Sequence, residues 1–263
     1  MLEFINLPLL LLALIQGATE FLPVSSSGHL ALVQLLPSIH AGGIFEDVML
    51  HLGTLGAVVV FYREDLKALL QGLFARSAAG QESRRYIGFI LWGSVPAGIA
   101  GVLFADRVES AFGHVGFVLI TLAVTGLLLK LSDRIPRRAI PLNARIAFLV
   151  GCAQALAILP GFSRSGWTIV AGLYLGLAPK ESARFSFLLS IPAILGATLL
   201  QLLQYQGVHS PWSSLLPAML VAFVVGLLCL SWLVRLVQNM SLGRFAYYLW
   251  ALCLGVALVL MLA

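Results

Sequence analysis

Two charged side chains stand in otherwise apolar surroundings. Glu20 is the one carboxylate in region 4–36, and Arg164 is the only charge between Arg145 and Lys180. Each lies beside a short polar break. The first break is Pro23-Val24-Ser25-Ser26-Ser27-Gly28, followed by His29. The second is Pro160-Gly161-Phe162-Ser163-Arg164-Ser165-Gly166. Pro and Gly interrupt a helix, and Ser is a good N-cap for a new one. Each break therefore predicts a helix N-terminus, with free N–H groups and a partial positive charge suited to an anion. Ser25, Ser26 and Ser27, with Gly28, face one such terminus, and Ser163 and Ser165, with Gly166, face the other. Arg164 adds a fork of donors that matches phosphate oxygens. Gln16 lies four residues before Glu20, on the same helical face. A carboxylate, an imidazole, hydroxyls, an arginine and two helix N-termini suit a phosphate group with a divalent metal. A hard cation such as Mg²⁺ prefers oxygen ligands and usually takes one or two carboxylates plus phosphates. The plainer readings are that the serines only cap helices, that Glu20 is a structural partner for Arg164, and that His29 is a helix-end hydrogen bonder. Caps alone leave Arg164 unexplained, because a mid-membrane arginine costs a few kcal/mol and is functional by default.

The elements that must position these residues follow from composition. Of 263 residues, 60% are apolar and 10% are charged. The mean hydropathy is +0.99. Soluble domains carry about 25% charge, so a soluble enzyme, a disordered chain and a secreted disulfide scaffold are excluded. A polytopic membrane protein remains. The net charge of +5 does not indicate nucleic acid, because the basic residues fall in short clusters between apolar runs. Cys152, Cys229 and Cys253 lie inside apolar stretches with no metal-ligand spacing and read as small hydrophobes. The first residues lack a basic segment, so no cleaved signal peptide is expected.

Six runs are long enough to cross a bilayer: 46–62, 86–104, 115–131, 185–203, 215–234 and 245–262. The pieces after the two breaks, 29–36 and 167–178, are too short to span at 1.5 Å per residue. Regions 4–36 and 145–178 therefore read as re-entrant helix–loop–helix hairpins. Loops 63–85, 130–145, 179–184 and 235–244 hold fourteen Lys and Arg, against one, Arg107, in loops 37–45, 105–114 and 204–214. The hairpin reading puts all fourteen on one face, which the positive-inside rule makes cytoplasmic, and it places both termini on the periplasmic side. An offset of 138 pairs Gln16 with Gln154, Ser25 with Ser163, Ser27 with Ser165 and Gly28 with Gly166. The expected fold is thus all-α, a single membrane domain over 1–263. It is built as an inverted repeat of about 1–131 and 145–263, with six spans and two hairpins whose tips meet near the midplane. His51 and Gln154 are expected behind the site, and Glu46 and Asp47 as solvated charges at the outer end of a span. His40, His114 and His209 are placed in outer loops and carry no argument. Gly-rich stretches such as 93–101 could allow a homodimer.

At this point the residues resemble a known family. Gln16-Gly17-Ala18-Thr19-Glu20-Phe21-Leu22-Pro23-Val24-Ser25-Ser26-Ser27-Gly28-His29 resembles the first signature of the undecaprenyl-diphosphate phosphatases, the bacitracin-resistance family. The second break is similar to its second signature. Leu52-Gly53-Thr54 and Phe185-Ser186-Phe187-Leu188-Leu189-Ser190-Ile191-Pro192-Ala193 are similar to further blocks, so the resemblance runs along the whole chain. It implies an enzyme of the bacterial inner membrane that removes the terminal phosphate of undecaprenyl diphosphate. The product carries peptidoglycan precursors. The resemblance also implies a divalent metal, Mg²⁺ or Ca²⁺, and a site open to the periplasm. Glu20, Ser26, His29 and Arg164 match functional positions of the family. Its acidic signature is commonly two Glu, and Gln16 stands here at the first.

Glu20, with Gln16, would hold the metal, and Arg164, Ser163, Ser165 and the helix N-termini would bind the diphosphate. Ser26, His29 or water could be the nucleophile. The rival class is a transporter or flippase of polyprenyl phosphate, because midplane hairpins are common in transporters. Pure transport needs no acid–base group beside its anion, which favours an enzyme.

Overall fold

The computed structural model describes residues 6–34, 43–204, 210–239 and 241–262. Those residues form twelve α-helices and no strand. With 5 helices apolar and long enough to cross a membrane, or up to 6 counting a bent pair, the chain is a polytopic all-α membrane protein. His40, His209 and Glu3 lie outside the described residues.

The first interrupted region is a hairpin of α1 (Leu7–Phe21) and α2 (Ser26–Val33). The second is a hairpin of α8 (Ala144–Leu156) and α9 (Arg164–Tyr174). The two breaks act as their chemistry dictates. Ser25 caps α2 by accepting from the Gly28 amide, and Ser163 caps α9 by accepting from the Gly166 amide, each at 3.2 Å. The capped helices begin about three residues before the expected 29 and 167. Ser26 and Arg164 are therefore first helical residues rather than loop residues, and His29 lies within the first turn of α2.

The spans are α3 (Ile44–Phe61), α5 (Ala78–Leu103), α7 (Val115–Ser132), α10 (Pro179–Gln204), α11 (Trp212–Asn239) and α12 (Arg244–Leu262). They match the six apolar runs within a few residues, apart from polar extensions at the starts of α5 and α10. Two loops hold helices that apolar length did not reveal. The chain bends by 73° after α3 into α4 (Arg63–Phe74), and α6 (Ala105–Phe112) follows α5. Both are amphipathic and too polar to register as spans. Arg184 secures α4 against α10. Its Nε lies 2.7 Å from Asp65 and its guanidinium 4.7 Å from the Tyr86 ring of α5. At the start of α12, Asp133 accepts from the Ser241 hydroxyl and, at 3.1 Å, from the Gly243 amide. Burial pushes this carboxyl up, but the donors, Ser241 first, outweigh it and hold it below its ordinary value.

Each hairpin packs against a distant span, α1 along α11 and α8 along α5. The largest apolar cluster lies around the tips and includes Phe21, Val24, Leu122, Ile169 and Phe187. Thr121 and Thr125, one turn apart on α7, tie the second tip from one face. Thr121 donates to the Pro160 carbonyl at 2.6 Å and Thr125 to the Gly161 carbonyl at 3.2 Å. Gly161 has a φ of +88°, and a Cβ there would fall 2.0 Å from Thr121 Oγ1.

Gly161→Ala should therefore combine left-handed strain with a clash and lower stability by about 2 kcal/mol or more. Gly98→Ala, where nothing lies within 4 Å, should be neutral or slightly stabilising. Thermal unfolding midpoints in detergent check both. Equal midpoints for the two variants would contradict this account of the second tip.

Candidate active site

Glu20 sits one residue from the end of α1, where its carboxylate reaches both tips. Its side chain is 6% exposed and that of Arg164 is 16% exposed. Arg164 Nη2 donates to Glu20 Oε1. The Ser26 hydroxyl donates to Glu20 Oε2 at 2.6 Å, and Gln16 Nε2 donates to the same oxygen at 3.0 Å. His51 Nε2, from α3, stands 3.6 Å from Oε2. Isolated buried charges are expensive, and a pair this well bonded is the arrangement that tolerates burial.

The tips also touch directly. Ser165 donates to the Leu22 carbonyl at 3.3 Å. A Cβ on Gly28 would lie 3.1 Å from the Gly161 Cα, and one on Gly166 3.2 Å from Pro23 Cβ. Ser25 and Ser27 pair at 3.2 Å, and so do Ser163 and Ser165. Ser25 has the only positive φ of a non-glycine among the described residues, 68°. Such backbone costs about 1–3 kcal/mol and gathers at functional sites. Its carbonyl lies 2.8 Å from His29 Nδ1, so the strained residue also orients the imidazole. His29 Nε2 lies 2.7 Å from the hydroxyl of Tyr248 on α12.

Two buried atoms here have no hydrogen-bond partner in the protein: Arg164 Nη1 and Gln16 Oε1. A carboxylate only accepts, so Gln16 must turn its Nε2 to Glu20 and leave its oxygen free. The free Arg164 donor suits a phosphate oxygen. The free Gln16 oxygen suits a cation. Among the described residues no three His, Cys, Asp or Glu gather into a metal site. A divalent cation here would meet only Gln16 Oε1 and Glu20, whose oxygens already accept from Arg164, Ser26 and Gln16, which suits only an ion that takes most of its shell from phosphate oxygens and water.

The sequence-selected residues divide clearly. Gln16, Glu20, Ser26 and Arg164 form one bonded cluster, with His51 against it. His29 is joined to the cluster's edge through Ser25. Gln154 is buried, and its amide makes no hydrogen bond. Glu46 corrects an expectation. It is buried rather than solvated, and it accepts from the amide and hydroxyl of Ser210, both at 2.8 Å. Asp47 accepts from Gln34 at 3.3 Å. Sequence reading missed Thr121, Thr125 and Tyr248. The i, i+4 threonines inside an apolar span were a usable signal. Tyr248 gave none, since a tyrosine near a span end reads as interfacial.

Fold and site together define a polytopic membrane protein whose paired hairpins enclose a carboxylate–guanidinium–hydroxyl cluster. The sequence profile described as "Bacitracin resistance protein BacA" matches residues 9–256, and the chain belongs to that family. Among its relatives is a protein of Rubrobacter xylanophilus, 42% identical over 265 residues, covering 96% of this chain and 97% of the relative. One of Syntrophotalea carbinolica is 40% identical over 246 residues, covering 92% and 94%. One of Methanobrevibacter smithii is 40% identical over 258 residues, covering 92% of each. All three bear the name undecaprenyl-diphosphatase.

The buried pair makes a thermodynamic prediction. Glu20→Ala and Arg164→Ala should each cost about 3–5 kcal/mol, because each strands a charge. The double variant should lose clearly less than the sum. A double-mutant cycle on denaturant unfolding in detergent reads the coupling, and additive losses would rule out the pair as the link between tips.

Proposed function

We propose that this protein is an integral membrane undecaprenyl-diphosphatase that converts undecaprenyl diphosphate to undecaprenyl phosphate and inorganic phosphate. The activity recycles a lipid carrier and underlies bacitracin resistance. The observation that carries the reading is the bonded set Ser26–Glu20–Arg164, with a free guanidinium nitrogen beside two capped helix N-termini.

Arg164 Nη1 and the first-turn amides of α2 and α9 bind the diphosphate oxygens and offset their charge. The Ser26 hydroxyl already donates to the carboxylate that would take its proton. Both nitrogens of His29 are engaged, by Ser25 and Tyr248. This contrast favours Ser26 as nucleophile. Ser26 Oγ bonds to the terminal phosphorus, the bridging P–O bond breaks, undecaprenyl phosphate leaves, and the proton passes to Glu20. Water then attacks that phosphorus and the Ser26 Oγ–P bond breaks; Glu20 returns its proton to Ser26 Oγ, and the water's hydrogens leave with inorganic phosphate. A divalent cation, Mg²⁺ or Ca²⁺, held by Glu20 and Gln16 Oε1, would offset charge on the phosphate oxygens when bound.

The reading extends to placement. The protein resides in the bacterial inner membrane with its site open to the periplasm. From Glu20 a polar path runs along α3 through His51, whose Nδ1 bonds the Asp47 carbonyl, to Asp47 and Gln34. It leads toward the N-terminal end of α3, on the face whose sequence is poor in basic residues. The matched packing of α1 on α11 and α8 on α5 supports an inverted repeat, and the distribution of Lys and Arg supports both termini periplasmic. A homodimer would use the open face of α5 around Gly98 and Gly101, which have nothing within 4 Å.

Purified protein in detergent should release phosphate from undecaprenyl diphosphate, which a pure flippase would not do. Arg164→Ala and Ser26→Ala should each lower kcat/KM at least about 100-fold. Near-normal turnover by Arg164→Ala would overturn the two-tip site. Rapid quench should trap an acid-stable phosphoenzyme that Ser26→Ala abolishes. An acid-labile adduct would move the nucleophile to His29, and neither adduct would favour water.

A further inference from the structure

The bonds to His29 settle where its proton sits. Nδ1 faces the Ser25 carbonyl at 2.8 Å, and a carbonyl only accepts. Nδ1 is therefore the protonated nitrogen, and in neutral imidazole Nε2 is left with its lone pair. That lone pair meets the Tyr248 hydroxyl at 2.7 Å, so the phenol donates. The two rings are stacked nearly parallel, at 3° with centroids 5.7 Å apart. Tyr248 comes from α12, 219 residues further along the chain, and is 48% exposed. Its neighbours hold α12 in place against α7. Trp250 donates to the Ala123 carbonyl at 3.1 Å, and Lys130 lies 4.9 Å over the Tyr247 ring.

We propose that Tyr248 is a positioning residue for His29. Its hydroxyl fixes the Nδ1–H tautomer and the plane of the imidazole, and it turns from donor to acceptor when Nε2 takes a proton. A tyrosine hydroxyl can do both, so one bond holds the ring in both charge states. The last helix thereby becomes part of the site, although it belongs to neither hairpin. The inference rests on His29 acting within the active site. A purely structural tyrosine would fill the same space without affecting the imidazole.

Tyr248→Phe separates these roles, because it keeps the ring and removes only the hydroxyl. Protein labelled with ¹⁵N-histidine is compared with the variant, and His29 is assigned by the signals lost in His29→Gln. In the wild type, His29 should show one tautomer with a hydrogen-bonded, unprotonated Nε2. In Tyr248→Phe that signal should move toward the unbonded value or average between tautomers. Turnover of undecaprenyl diphosphate in detergent should show kcat falling about three- to tenfold, with KM within about twofold. The unfolding midpoint should stay near the wild-type value, which confirms that the variant folds. An unchanged ¹⁵N spectrum, or unchanged kcat, overturns the proposal. If His29→Gln keeps full turnover, the placement of His29 in the site fails instead, and the spectrum still reports whether Tyr248 holds the ring.

Discussion

The contact between Glu20 and Arg164 is the constraint on which the rest of the molecule depends. Each charge alone, in the apolar middle of a membrane protein, would be expensive. Together they are tolerable only if the two tips stay in register. That requirement explains several features that look unrelated. Gly28 and Gly161 let the tips approach to near contact. Thr121 and Thr125 hold the second tip from α7. Phe21, at the end of α1, and Phe187, on α10, pack edge to face with centroids 5.7 Å apart. The pair also leaves part of the arginine free for work. Arg164 spends one nitrogen on Glu20 and keeps Nη1 unbonded.

Much of this was legible in the sequence because the relevant signals are local and strong. An apolar run of about twenty residues has one inexpensive fate in a membrane. A Pro/Gly break followed by serine has few conformations open to it, and the structure realises the capped helix at both breaks. Glu20 and Arg164 stood out because charge is so scarce between the span ends. Their direct contact, 144 residues apart, had no local signal; only the hairpin topology suggested it.

What was not legible depends on long-range pairing or on polar amphipathic pattern. Helices α4 and α6 carry too many charges to register as apolar runs, so their loops looked irregular. Glu46 read as solvated because its partner, Ser210, comes from the far end of the chain. Tyr248 has an ordinary local context, and its role is set by the hydrogen it places on His29. Gln154 remains the odd case. Its pairing with Gln16 by offset suggested a place behind the site, yet its buried amide is bonded to nothing in the protein. Gln16 is kept by the carboxylate one turn away, whereas Ile158 stands one turn after Gln154.

That difference extends to the tips and suggests how the site divides its labour. The two caps are built alike, Ser25 to Gly28 and Ser163 to Gly166, each with a paired second serine. They diverge at the first helical residue, which is Ser26 in one and Arg164 in the other, and both side chains converge on the single carboxylate. Three residues later the first tip has His29 and the second Trp167, which donates to Thr125 at 3.4 Å. One tip thus keeps hydroxyl, imidazole and carboxylate, the groups that move protons. The other has the permanent cation in place of the Ser26 hydroxyl and a packed indole in place of the imidazole. In the proposed reaction, separating the group that reacts from the group that holds charge lets Arg164 stay bonded to Glu20, on a tip tied to α7, while Ser26 exchanges its proton. A phosphate bound between them meets a preorganised cation on one side and a hydroxyl already aligned with its base on the other.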